Sequence, residues 1–162
     1  MTLHRARLPV LAVLLLVAVP VSASAINAPT GVVLDKSVAG VRLGMTKRAV
    51  RTTLGKPDKV ERSTTPDNKS FVAYDYRSHH IRVLFFAKPT VVEVITTSPK
   101  ERLSSGVGVG TTESRLLGAI PHLRRQTFDG LSYLHRPHGT KGNFTLFGIR
   151  HGRVVQIDVG AE

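Results

Sequence analysis

The chain has 162 residues, with 23 Lys and Arg against 11 Asp and Glu, a formal net charge of +12, and no cysteine. The missing cysteine excludes disulfide staples, thiol chemistry, Cys-ligated metal sites and a lipid carried on a cysteine. The length suits one compact domain or two very small ones sharing a core, and the positive surplus attracts polyanions.

The N-terminus reads as an export signal. Arg5 and Arg7 make a positive start, Leu8 to Val19 an apolar run, and Ala23-Ser24-Ala25 a small-residue cleavage site, with Val21-Ser22-Ala23 as a second. An apolar run of about twelve residues containing Pro9 is short of the roughly 20 that span a bilayer. Cleavage is expected to remove residues 1–25. Two of the 23 basic residues leave with them, taking the net charge from +12 to +10. The expected location is extracytoplasmic (secreted, periplasmic or wall-associated). The protein is not expected to be a lipoprotein, and no later run is apolar for long enough to anchor it in a membrane.

Residues 26–36 carry Pro29 and Gly31 and read as a tail leading into the domain, with a short strand expected at Gly31–Leu34. A repeat then begins. Gly40-Val41-Arg42-Leu43-Gly44-Met45-Thr46 is echoed by Gly106-Val107-Gly108-Val109-Gly110-Thr111-Thr112, with Gly40/Gly106, Val41/Val107, Gly44/Gly110 and Thr46/Thr112 in register. In the first copy Thr46 caps a helix over Lys47–Leu54, where Ala49, Val50, Thr53 and Leu54 form an apolar stripe. Gly55 ends that helix and Pro57 prevents its resumption. Strands are predicted at Asp58–Thr64, Ser70–Arg77, Ile81–Phe86 and Val91–Thr97, with turns at Thr65–Lys69 and Lys88-Pro89-Thr90. Alternation in Phe71–Tyr76 sets Phe71, Ala73 and Asp75 on one face and Val72, Tyr74 and Tyr76 on the other.

After a linker at Thr97–Ser105, Thr111 or Thr112 caps a second helix over Glu113–Ile120. Leu116, Leu117 and Ile120 supply its apolar face, and Pro121 stops it. Strands are predicted at Arg124–Phe128, Leu131–Arg136, Asn143–Arg150 and Arg153–Val159, with His151-Gly152 as a hairpin turn. The fold class expected is α+β: two tandem units, 37–98 and 99–162, each a short helix followed by an antiparallel β-meander, with the helices packed on a curved antiparallel sheet. Whether the units share one continuous sheet is open.

A Gly-x-x-x-Gly-Met-Thr element opening a helix that ends in Leu-Gly-x-Pro resembles the SmpA/OmlA (BamE-like) family. The residues that carry it are Gly40, Leu43, Gly44, Met45, Thr46, Val50, Leu54, Gly55 and Pro57. Two such units in tandem also look like the β-lactamase-inhibitor-protein architecture. The resemblance implies a fold of helical elements packed on a strongly curved antiparallel sheet, and no contact residue carries over. Read physically, Gly40, Gly44, Met45, Thr46, Gly55, Pro57, Gly106, Gly110 and Thr112 are a structural motif of tight turns and helix caps.

Little points to chemistry. His79-His80 would face opposite ways on a strand, and Pro137 interrupts His135-x-x-His138. Gly106–Gly110 lacks the rest of a nucleotide loop, no Gly-x-Ser-x-Gly elbow occurs, and the 11 acids are scattered. The expectation is a non-enzyme with no cofactor and no metal. It is a protein-binding or scaffolding module, with Phe71, Tyr74, Tyr76 and Tyr133 as aromatic anchors for an envelope or secreted partner. A competing reading is electrostatic adhesion to anionic lipid or wall polymer through Lys47, Arg48, Arg51, Arg124 and Arg125; an enzyme of unrecognised type is the third. Export argues against nucleic acid as the partner.

Overall fold

A computed structural model describes residues 31–86, 89–128, 131–136 and 142–161, with the side chains of 128 and 131–136 left out. The signal segment 1–25, the tail through residue 30, Lys88, Pro137 and His138 lie outside the described residues.

Strands dominate. The first three are two residues long: β1 Val32–Val33, β2 Ser37–Val38 and β3 Val41–Arg42, which form a sheet of their own. Helix α1 (Lys47–Leu54) precedes β4 Lys59–Thr64, β5 Ser70–Tyr76, β6 Ile81–Phe86 and β7 Glu93–Thr96. Helix α2 (Glu113–Ala119) precedes β8 Arg124–Phe128, β9 Leu131–Arg136, β10 Asn143–Arg150 and β11 Arg153–Ala161. The last eight strands make one antiparallel sheet in the order β4-β5-β6-β7-β11-β10-β9-β8.

This overturns the α+β class and the tandem helix-plus-meander arrangement expected from the sequence. Among the described residues the α-helices number only two, of eight and seven residues, against two β-sheets. Helices that short are below the roughly 12–15 residues at which a helix holds itself in water. They exist as capped turns against the sheet rather than as a layer. The units are also not separate meanders: β7 pairs with β11, Ile95 opposite Asp158 and Val94 opposite Val159, which joins β4–β7 and β8–β11 into one eight-stranded sheet.

One face of that sheet builds the core. Tyr74, Val83, Val94 and Val159 lie directly opposite one another across four strands, and Tyr76, Ile81, Thr96, Ile157 and Phe147 form the next row. All nine side chains are buried. Val38 and Val41 of the small sheet, Val50 and Leu54 of α1, and Leu116 of α2 join the same cluster. Each such side chain contributes on the order of 1.5–3 kcal/mol by leaving water. The small sheet is pinned by Asp35, whose N–H donates to Thr145 Oγ1 (2.8 Å) while that hydroxyl donates to Asp35 Oδ1 (2.8 Å).

The two copies of the glycine motif do the same structural task. Gly44 and Gly110 have φ of +81° and +89°, which glycine adopts without strain. Gly44 N–H donates to Val91 C=O (2.8 Å) and Val91 N–H returns a bond to Met45 C=O (2.8 Å). Gly110 donates to Val154 (2.7 Å), which returns a bond to Thr111 (2.9 Å). Each motif thus clips its helix entrance to the chain entering a closing strand. Thr46 and Thr112 then cap the helices by accepting from Ala49 N–H (3.3 Å) and Arg115 N–H (3.4 Å). Only the first helix ends on a positive-φ glycine, Gly55; the second ends at Ile120 in an extended conformation.

Candidate functional site

The opposite face of the eight-stranded sheet carries the more unusual chemistry. Three rows of residues are read from the register. The first pairs Phe71 with Phe86, rings 5.7 Å apart. The second runs Glu61, Ala73, Leu84, Glu93, Gly160 and Phe144. The third runs Lys59, Asp75, Arg82, Ile95, Asp158 and Leu146. Phe71, Phe86, Ile95, Leu146 and Phe144 are half-buried and stand outside the core cluster.

Charges on the β4 side of this face are paired. Arg82 bridges Asp75 (3.1 Å) and Glu61 (3.4 Å), and Lys59 also reaches Glu61 (3.4 Å). The Lys59 hydrogen bond, with the positive charge of Arg82, holds the Glu61 carboxyl below its ordinary range.

Toward the middle of the sheet the balance changes. Asp158 is 6% exposed. Its Oδ2 accepts from Gln156 Nε2 (3.0 Å), and Oδ1 is the one buried side-chain polar atom without a partner among the described residues. Burial pushes its carboxyl up to about 7, the Gln156 bond opposing and the Glu93 charge adding to the rise. Burial raises Glu93 as well. One strand position on from Glu93, Gly160 lets the Phe144 ring lie against the backbone: a Cβ there would stand 2.3 Å from Phe144 Cζ. A groove of about 570 Å³ is lined by Asp75, Arg82, Ile95, Gln156, Arg77 and His80 among others; Asp158 is not in its lining.

The residues expected to bind partners are redistributed. Tyr74 and Tyr76 are 5% and 1% exposed, on the covered face, so as surface anchors they are corrected to core. Tyr74 meets Phe85 edge to face at 4.9 Å, and Tyr76 Oη donates to Gly55 C=O (3.3 Å), burial pushing its phenol to about 12. The reason is the parity of the strand. Val72, Tyr74 and Tyr76 share the side that α1 covers, whereas Phe71 points to the opposite side, which is open among the described residues. Tyr133 sits in β9 opposite Gly148 and Gln126, its side chain outside the described residues.

Two of the basic residues lie on these same aromatics. Arg51 stacks 5.2 Å over Tyr74 and Lys47 Nζ stands 5.4 Å over Phe85. Arg48 is exposed on α1. Arg124 and Arg125 are exposed on β8, at the far end of the strand order from β4, so the five cations are split between two places. His79 belongs to one turn of 3-10 helix and its ring meets Tyr76 at 6.4 Å. The described residues contain no group of three or more His, Asp or Glu placed to hold a metal, and no helix long and apolar enough to cross a membrane.

Sequence reasoning passed over Glu93 and Asp158. A signal existed: each is an acid within a β-branched run, Val91-Val92-Glu93-Val94-Ile95 and Val154-Val155-Gln156-Ile157-Asp158-Val159. An acid at such a place is flanked by apolar side chains that take it out of water.

No family model and no curated protein matches the chain. Among solved structures, a cysteine-rich secretory protein from Staphylococcus aureus is similar at TM-score 0.50 and 12% identity. The match covers 84% of this chain and 48% of that one, so the chain spans about half the length of that protein. The uncharacterized protein YfeY from Escherichia coli matches at TM-score 0.49 and 14% identity, over 82% of this chain and 97% of that one. At such identities the first likeness concerns the fold alone.

Proposed function

We propose that the protein is an exported, non-catalytic binding module that receives a protein partner on the open face of its eight-stranded sheet. The observation that carries this reading is the composition of that face. Half-buried Phe71, Phe86, Ile95 and Leu146 share this face with the acids Glu93 and Asp158, Ile95 and Leu146 directly opposite Asp158, and the four apolar side chains stand outside the core cluster. An apolar centre with a few placed charges is the usual make-up of a protein-binding surface. The signal sequence at residues 1–25 supports export, and the motif resemblance to SmpA/OmlA proteins agrees with an envelope or secreted setting. The basic residues argue less for polyanion adhesion, because Lys47 and Arg51 are seated on aromatic rings and Arg124 and Arg125 lie elsewhere.

The test is affinity capture with residues 26–162 on the source organism's envelope and secreted fractions. We expect one protein to stay bound at about 0.5 M salt, where screening acts over a few ångströms. Ile95→Arg, on the open face, should release it; Arg48→Ala should not. Elution of all material at modest salt, or indifference to Ile95→Arg, would refute the reading.

A further inference from the structure

We propose that Asp158 and Glu93 form a receptor for one cationic group, a lysine or arginine side chain of the partner, at the centre of the open sheet face. The inference rests on the open-face reading above and names the chemistry that the face selects.

Asp158 lies on β11, the fifth strand of eight, with Ile95 of β7 and Leu146 of β10 directly opposite. Glu93 is on the same face, one diagonal step away, opposite Gly160. Among the described residues, the groups turned toward Asp158 are Glu93 and Ile95 from β7, Leu146 from β10 and Gln156 from its own strand. Of these only Gln156 donates a hydrogen bond to it. A carboxylate oxygen removed from water with no donor is among the costliest arrangements a fold can carry, and such an atom in a stable domain calls for an explanation.

Among the described residues no cation of the chain is paired with Asp158 or Glu93; Arg82, in the same row, is engaged with Asp75 and Glu61. This happens in a chain whose net charge is +12, and +10 without residues 1–25. A small acidic spot on a basic molecule selects by contrast, because the surrounding field repels cations except where the two acids face the ligand. An ammonium offers three donors and a guanidinium five, against the free Asp158 oxygen and the Glu93 carboxylate. The aliphatic stem of either residue suits Ile95 and Leu146. Ile95 and Gln156, which flank Asp158, also line the groove of about 570 Å³.

The test uses the mature chain with ¹³C-labelled carboxyl groups at pH 8, titrated with n-butylammonium chloride and, separately, with n-butanol as its neutral counterpart. A saturable shift of the Asp158 and Glu93 carboxyl signals by butylammonium alone is expected. Asp158→Asn, which is isosteric, should weaken it by about tenfold or more, as expected for losing a hydrogen bond to a charged group. Glu93→Gln should weaken it as well. A non-saturating shift, an equal response to butanol, or unchanged binding by Asp158→Asn overturns the proposal. A concentration-dependent dimer that Asp158→Asn abolishes would make the occupant a second copy and overturn a foreign partner. Partner capture separates this inference from the reading beneath it. If Ile95→Arg abolishes capture and Asp158→Asn leaves it within about twofold, a difference below 0.5 kcal/mol, the face binds but the cation site is refuted. If neither variant alters capture, both fail.

Discussion

Asp158→Asn should make the protein more stable in base and change little in acid. Burial moves the carboxyl from 3.8 to about 7. At about 1.4 kcal/mol per pKa step, that rise sets an upper bound near 4 kcal/mol on what ionising the folded state costs. The sign follows from proton counts. Below pH 4 both states hold the proton and the group is silent. Between pH 4 and 7 the unfolded chain releases it first, so the folded state binds more protons and stability falls as pH rises. Above pH 7 the loss is complete. Asparagine is never ionised, but its N–H₂ inherits part of the cost of a buried unpaired group, about 1–2 kcal/mol. The variant should therefore gain about 2–3 kcal/mol at pH 8 and stay within about 1 kcal/mol of the parent at pH 4.5. Urea unfolding of both proteins at the two pH values measures this, and comparing the pair cancels the titration of every other group. Destabilisation by Asp158→Asn at pH 8 would show that Oδ1 has a donor in solution, and would refute the argument.

Gly44→Ala and Gly110→Ala should each cost about 1–2 kcal/mol, because both force a left-handed φ on a residue with a Cβ, and the two losses should be similar if the motif copies do the same task; thermal melts compare them. Gly160→Ala should destabilise by about 1–3 kcal/mol through the Phe144 ring, and Phe144→Leu in the same chain should recover part of the loss, read as a double-mutant cycle. Tyr76→Phe should lose about 1 kcal/mol with the hydrogen bond to Gly55 and leave partner capture unchanged, since the ring is core; reduced capture by a folded Tyr76→Phe would restore it to the surface.

The positions of the strands were largely readable, because β-branched and aromatic runs such as Ile81–Phe86 and Asn143–Arg150 carry their own signal and the turns between them are marked by Pro, Gly and Asn. Caps were equally legible, since Thr46 and Thr112 act through neighbours three residues on. The class was misread because a helix-opening motif announces itself strongly in sequence, whatever the length of the helix that follows, and Gly55 and Pro121 confine these helices to about two turns. The pairing of β7 with β11 joins residues far apart in the chain, and no local pattern specifies it. The same limit applied to the aromatics. Alternation placed Tyr74 and Tyr76 on one side and Phe71 on the other, but nothing in residues 71–76 says which side α1 covers.

That long-range pairing is also where the acid site arises. The two closing strands occupy matched places after the two motif copies, Val91–Ile95 beside Val154–Asp158, so Ile95 and Asp158 are counterparts, and in the sheet they lie directly opposite one another. Glu93 and Gln156 are counterparts too and flank that pair on its two sides. An apolar residue at both central positions would close the junction as ordinary core does. One copy has isoleucine there and the other an aspartate, which leaves a buried charge where the two strands meet. Replacing it by a β-branched apolar residue of similar size should then favour folding more than asparagine does: Asp158→Val removes the charge, leaves no orphan polar atom and packs on Ile95, at the expense of the half-buried Gln156 bond. We expect a gain at pH 8 about 1 kcal/mol beyond that of Asp158→Asn, from the buried apolar area. Both variants should lose the response to butylammonium. A valine variant less stable than the parent at pH 8 would mean that the face is hydrated at this point, and that the aspartate is solvated rather than held in reserve for a cation.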